Sequence, residues 1–246
     1  GEPAASPKLV KKEIGQVWPI GFTRNGSFYY GIQTGMVDVY AAELDVASGR
    51  VLAAPAPAAP RFAGANRSPD WSADGRFLAH VSQRIPPLTS FDIRIVIRPL
   101  AAKEGRELLP KVGMVEQLRW SPDGRHLLAN GFGLSLRPAL LLIEVKTGEV
   151  TVVRTGQGNE VFAEPAWGRD GKTVYYKIRQ ADREPAPLLV RNLQTGTDKV
   201  LLPSVYRYDI SPAGGQLAFS TFDSAGEYLR IAPLAGGQPR NVYRQP

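Results

Sequence analysis

The chain has 246 residues, 43% hydrophobic and 22% charged, an ordinary globular composition large enough for one sizeable domain or two small ones. It contains no cysteine, which excludes disulfide frameworks, thiolate metal sites and cysteine nucleophiles. The net charge of +7 would permit contact with nucleic acid or an anionic surface, yet Lys and Arg are scattered along the chain with acids between them, and Lys11-Lys12 is the nearest approach to a basic run, so a solvated, mildly basic surface is the better reading.

Residues 1–16 open with Pro and Ala and continue as Leu9-Val10-Lys11-Lys12-Glu13-Ile14-Gly15, which reads as one short strand and a turn outside any complete repeat. The start does not read as a signal peptide, and its lack of Met suggests a processed chain or a domain cut from a longer one. The longest clean apolar run, Ala139 to Ile143, is far short of a membrane span. From residue 17 a repeat takes over. Phe22-Thr23-Arg24-Asn25-Gly26, Trp71-Ser72-Ala73-Asp74-Gly75, Trp120-Ser121-Pro122-Asp123-Gly124, Trp167-Gly168-Arg169-Asp170-Gly171 and Ile210-Ser211-Pro212-Ala213-Gly214 each stand between two apolar segments. Asn-Gly and Asp-Gly supply the positive backbone dihedrals of a tight hairpin, so each copy predicts strand a, a turn and strand b.

The turn glycines at 26, 75, 124, 171 and 214 are 49, 49, 47 and 43 residues apart. A second set, Gly49, Gly105, Gly148, Gly196 and Gly237, follows the first by 23, 30, 24, 25 and 23 residues and marks a turn between strands c and d. Repeats of this length with four strands each are the signature of propeller blades. The fold expected is therefore all-β: a β-propeller of four-stranded antiparallel blades, five of them recognisable, at about 17–66, 67–114, 115–160, 161–205 and 206–246. Residues 1–16 would add either an extra N-terminal outer strand or the remnant of a preceding, sixth blade. Ala53 to Pro60 reads as an extended connector between the first and second blades.

These repeats resemble the TolB-type, WD-repeat-like propeller modules of bacterial proteins over residues 17–246, most closely at Trp120 to Gly124. Phe22 and Asn25 in the first copy and Ile210 and Ala213 in the last depart from the pattern. The resemblance implies further blades upstream in the natural chain and favours a periplasmic or other extracytoplasmic location. Such modules occur free or joined to DNA-binding, kinase or hydrolase domains, so the family does not fix the function.

Alternating strand direction puts the a–b and c–d turns on one face and the variable b–c and d–a loops on the other, and loops on a rigid scaffold are where sites form. The candidate partner-binding residues at a channel mouth are Arg61, Asn66, Arg67, Asp70, Glu116, Glu160, Glu164, Tyr206, Arg207 and Tyr208, with Gln117 beside them. Arg and Tyr combine contact area with directional hydrogen bonds. Trp71, Trp120 and Trp167 share one repeat position and are expected to pack between blades; the Tyr29-Tyr30 and Tyr175-Tyr176 pairs alternate faces of strand b and are read the same way.

His80 and His126 lie on separate repeats and no Gly-x-Ser-x-Gly elbow occurs, so a histidine triad is not expected, nor is any metal or cofactor. The catalytic alternative is a carboxylate pair of the glycosidase kind drawn from Asp70, Glu116, Glu164 and Asp209, or a propeller gating a peptidase. The function expected is non-enzymatic: a binding module, an interaction or sensor domain of a larger bacterial protein. Its partner would be a protein or peptide, with a small ligand second and neither nucleic acid nor membrane insertion expected.

Overall fold

Every regular element among the described residues of the computed structural model is a strand; those residues are 17–22, 28–32, 37–45, 47–58, 66–84, 92–100, 102, 104–180, 184–211, 213–224 and 226–245. The strand expected within residues 1–16 lies outside them. Two units divide the chain, residues 1–37 and 38–246. In the first, β1 (Val17–Phe22) pairs with β2 (Phe28–Ile32) as an antiparallel hairpin with a register shift between Pro19 and Gly21.

The second unit begins with two small pairs. β3 (Tyr40–Ala41) joins β6 (Ala56–Pro57), and between them β4 (Leu44–Asp45) joins β5 (Arg50–Val51) across the turn at Gly49. The stretch read as a connector thus contributes a paired segment, and Ala58 beyond it is buried against Val39 and Leu78. Four four-stranded antiparallel sheets follow. The first is β7 (Asn66–Trp71), β8 (Phe77–Arg84), β9 (Asp92–Pro99) and β10 (Arg106–Leu108). The second is β11 (Met114–Trp120), β12 (His126–Phe132), β13 (Pro138–Glu144) and β14 (Val150–Thr155). The third is β15 (Glu160–Trp167), β16 (Thr173–Gln180), β17 (Ala186–Asn192) and β18 (Asp198–Val205). The fourth is β19 (Tyr208–Ile210), β20 (Gln216–Asp223), β21 (Gly226–Pro233) and β22 (Arg240–Gln245). Strand order equals chain order in each, as hairpin connections require.

The repeat turn is longer than a two-residue hairpin, and its side chains hold it. Between β11 and β12, Ser121 Oγ bonds Asp123 Oδ1 at 2.7 Å and accepts the His126 N–H at 2.9 Å, while the Arg125 N–H reaches Asp123 Oδ1 at 3.0 Å. Gly124, at φ 70°, closes back onto the Ser121 carbonyl. Ser72 and Asp74 repeat the arrangement between β7 and β8. There the Ser72 hydroxyl and the Arg76 N–H groups hold the Asp74 carboxyl down at about 2. In the third sheet Gly168 stands where the serine would be, and Asp170 turns to Thr173 instead.

Side chains alternate across a strand, so one strand feeds two cores. On β12, Leu127 and Ala129 pack with Ile95, Ile97 and Leu118 between the first and second sheets; Leu128 faces the other way, onto Phe162, Val174 and Tyr176 of the third. On β16, Tyr176 enters that second core, while Tyr175 packs against the next one with Leu188, Leu217 and Phe219. The repeated tryptophan locks these interfaces: Trp120 Nε1 donates to the Asp70 carbonyl and Trp167 Nε1 to the Arg119 carbonyl, both at 3.1 Å. Trp167→Phe should cost about 1–2 kcal/mol of stability in urea unfolding, since one half-buried carbonyl loses its donor while the packing area is nearly kept. An unchanged midpoint would show that the indole bond contributes nothing.

His80 on β8 is 1% exposed, and its Nδ1 has no hydrogen-bond partner among the described residues. Burial, with the Arg98 guanidinium adding to it and Asp38 opposing it, pushes the imidazole down to about 4. A histidine kept neutral in the fold is protonated first in the unfolded chain, so its contribution is complete above pH 6.5 and is lost as the pH falls from there towards 4. Between pH 7 and pH 4 the wild type should therefore lose on the order of 3 kcal/mol more stability than His80→Gln, measured by denaturant titration at each pH. Parallel pH profiles would refute the assignment.

Candidate functional site

The first strand of a blade breaks its pairing with the second at one place in each of the first three sheets, between Arg67 and Asp70, between Val115 and Gln117, and between Ala163 and Ala166. Such bulges re-aim side chains and free backbone groups from the ladder. Ser68 and Glu164, each followed by proline, adopt φ of 54° and 53°, a region rarely taken by residues other than glycine. The neighbouring blade occupies the groups set free. Ser68 Oγ donates to the Glu116 carbonyl at 2.8 Å, and Arg67 Nη2 to the Val115 carbonyl at 2.9 Å. The Glu164 N–H donates to Gln117 Oε1 at 2.8 Å, and the Tyr208 hydroxyl donates to the Glu164 carbonyl.

Beside these bulges, on the second to fourth sheets, lies a cavity of about 650 Å³ lined by Glu116, Gln117, Arg119, Asn130, Ala163, Glu164, Arg179, Arg207, Tyr208 and Asp209. Under its wall sits Lys177 of β16, fully buried, with Nζ 3.3 Å from Glu164 Oε1 and 3.0 Å from both Glu184 carboxylate oxygens, and donating to the Tyr206 carbonyl. Arg207 Nη1 approaches Glu164 Oε1 at 2.6 Å from the solvent side, its side chain 71% exposed. Glu116 accepts from Asn130 Nδ2 at 3.0 Å, and Asp209 from the Ile210 N–H at 2.8 Å. Burial pushes the Tyr208 hydroxyl well above the ordinary phenol range, with the Glu164 carboxylate adding to it, so Tyr208 serves as a neutral donor.

Of the residues expected at a mouth, Glu116, Glu164, Arg207 and Tyr208 line this cavity with Gln117, and Tyr206 contributes its carbonyl to Lys177. Arg61 lies outside the described residues. Asn66 is buried and bonds Asp38 at 2.7 Å, and Arg67 is committed to the Val115 carbonyl. Asp70 accepts the Trp120 N–H at 2.7 Å; burial raises its carboxyl, with that bond and Arg119 opposing. Glu160 belongs to another cluster, in which Arg154 meets Glu160 at 3.7 Å and Asp198 at 3.1 Å and donates to the Tyr176 hydroxyl at 2.9 Å. There burial and the Asp198 bond push Tyr176 up to about 12.

Sequence reasoning missed Lys177, Arg179, Glu184 and Asn130. One signal was present: Lys177 interrupts the apolar run Val174-Tyr175-Tyr176-Lys177-Ile178 in a strand b, at the same distance after the turn glycine as Asn130. A charge inside such a strand is buried only with partners.

Successive four-stranded antiparallel sheets packed face to face, with their first strands adjacent, define a β-propeller. No family model matches the sequence, and no curated protein does either. Among solved structures, TolB from Acinetobacter baumannii aligns with a TM-score of 0.59 and 18% identity over 87% of this chain and 53% of its own. An oligogalacturonate lyase in complex with manganese aligns with a TM-score of 0.61 and 14% identity over 88% of this chain and 61% of its own. A prolyl endopeptidase aligns with a TM-score of 0.55 and 15% identity over 93% of this chain and 35% of its own. The likeness shows the fold, a propeller of the TolB type, which occurs in enzymes as well. The chain spans less than two thirds of each of these proteins.

Removing Lys177 leaves two carboxylates facing each other without their buried cation. Lys177→Met should destabilise by about 3–5 kcal/mol, and adding Glu184→Gln should restore part of it, read by urea unfolding. Additive effects of the two changes would show that Lys177 and Glu184 are not coupled.

Proposed function

We propose that this chain is a non-enzymatic binding module whose cavity beside the inner-strand bulges recognises a protein or peptide partner. The observation that carries the reading is that the cavity's carboxylates are already bound to protein donors, Glu164 to Lys177 and Arg207, Glu116 to Asn130, while guanidinium groups stand at its rim. Carboxylates so committed suit a preformed recognition surface better than a pair of which one must deliver a proton and the other activate water. The interblade bonds fix the wall before a partner arrives, which favours docking with little rearrangement. A role as an interaction or sensor part of a larger bacterial protein, in an extracytoplasmic setting, is proposed on the likeness to TolB.

The test is a pull-down from lysate and envelope fractions with three forms of the chain: wild type, an Arg119→Ala/Arg207→Ala variant, and Arg76→Ala as a control on the turn between β7 and β8. A partner retained by wild type and Arg76→Ala but lost, at least tenfold, by the folded double variant is the expected outcome. Equal retention by all three, or no partner at all, would move the site elsewhere and bring carboxylate catalysis forward.

A further inference from the structure

The polar atoms at the cavity differ in how far the protein satisfies them. Glu164 Oε1 receives Lys177 and Arg207, whereas Glu164 Oε2, itself buried, has no hydrogen-bond partner among the described residues. Arg179 is in the same position as a donor: its Nε is buried without a partner among them, and its ion pair with Glu184 is long, 3.8 Å from Nη1 to Oε1. The two groups belong to one cluster, because Glu184 Oε1 lies within 3.8 Å of Arg179 Nη1, 3.6 Å of Arg207 Nη1 and 3.0 Å of Lys177 Nζ. A buried acceptor and a buried donor left without partners in one cluster are costly unless something bonds each. Resting on the binding-module reading above, we propose that the cavity takes a carboxylate whose adjacent atom carries an N–H or O–H donor. The carboxylate meets the Arg179 and Arg119 guanidiniums, and the neighbouring donor meets Glu164 Oε2.

The planar guanidinium fork matches a carboxylate with two parallel bonds, which an ammonium group does not. The required pattern occurs at the C-terminal residue of a peptide, whose own amide N–H is one carbon away, and in small acylamino or hydroxy acids. Phosphate fits less well: it is not planar like the guanidinium fork, and it sets further negative charge beside the Glu164 carboxylate.

Calorimetric titration of the full chain with defined probes decides the matter. Acetyl-Gly-Gly-Gly with a free carboxylate should bind at least tenfold more tightly than its C-terminal amide, and than the same peptide ending in N-methylglycine, which lacks the adjacent N–H. Arg179→Lys, which keeps the charge and removes the fork, should weaken the free acid about tenfold while leaving the urea midpoint near that of wild type. N-acetylglycine and lactate separate the sources: if they bind as tightly as the tripeptide the ligand is a small acid, and if the tripeptide binds more tightly it is a peptide C-terminus. Equal binding of acid and amide, no effect of Arg179→Lys, or no binding by any probe would overturn the carboxylate chemistry. A partner still lost by Arg119→Ala/Arg207→Ala in the pull-down would then leave the binding site itself standing.

Discussion

A strand that breaks its own ladder must find partners for the groups it frees, and the bulges in the first strands of the first three four-stranded sheets make that demand. Here a neighbouring blade meets it: the Glu116 carbonyl takes the Ser68 hydroxyl of the preceding sheet, and Glu164 gives its N–H to Gln117 of the preceding sheet and its carbonyl to Tyr208 of the following one. Each bulge is therefore stable only with its neighbour in place. The apolar cores between sheets provide most of the driving force for docking, but they are non-directional. These polar bonds, with the tryptophan indoles a few residues further along, fix the register at which blade meets blade.

The same irregularity builds the site. A regular strand would send residue 164 along the ladder; the bulge holds it at a positive φ, fixed on both backbone groups and at its carboxylate. Strain of about 1–3 kcal/mol at such a residue persists only when the surroundings over-determine it. Lys177 makes the arrangement rigid from beneath. It joins Glu164 of β15 to Glu184 in the connection between β16 and β17 and to the Tyr206 carbonyl just before β19, so one buried cation ties three segments distant in sequence.

The polar clusters of the molecule accordingly divide by what they leave open. Around Arg154, Tyr176, Asp198 and Arg191 the donors and acceptors are turned on one another, and the aromatic rings of Phe162 and Tyr176 lie against the Arg154 guanidinium, which is the pattern of a clamp between the second and third sheets. Around Glu164 and Arg179 one acceptor and one donor have no partner among the described residues, beside a cavity. A clamp is complete in itself, whereas the second arrangement leaves those two atoms unpaired among the described residues.

The sequence alone determined the fold class. A turn glycine every 43 to 49 residues, flanked by apolar pairs, can be satisfied by repeated hairpins and by little else, and Ser121 with Asp123 shows why the turn residues recur: each turn is closed by its own side chains. Local chemistry of that kind is readable because both partners lie within a few residues. The shared position of Trp120 and Trp167 likewise exposed their role between blades, whereas Trp71, expected to pack in the same way, is 42% exposed. Which charged residues meet was decided by the tertiary structure alone. Glu160 and Glu164 are four residues apart in one strand, yet one joins Arg154 and the other Lys177, because Glu160 sits in the regular ladder and Glu164 in the bulge that turns the strand. Asp70 and Asn66 resemble mouth residues in composition, but Asp70 faces into an interblade bond with Trp120 and Asn66 bonds Asp38. Contacts between separate strands depend on how the strands bend and the sheets dock, and a linear pattern carries no record of that geometry.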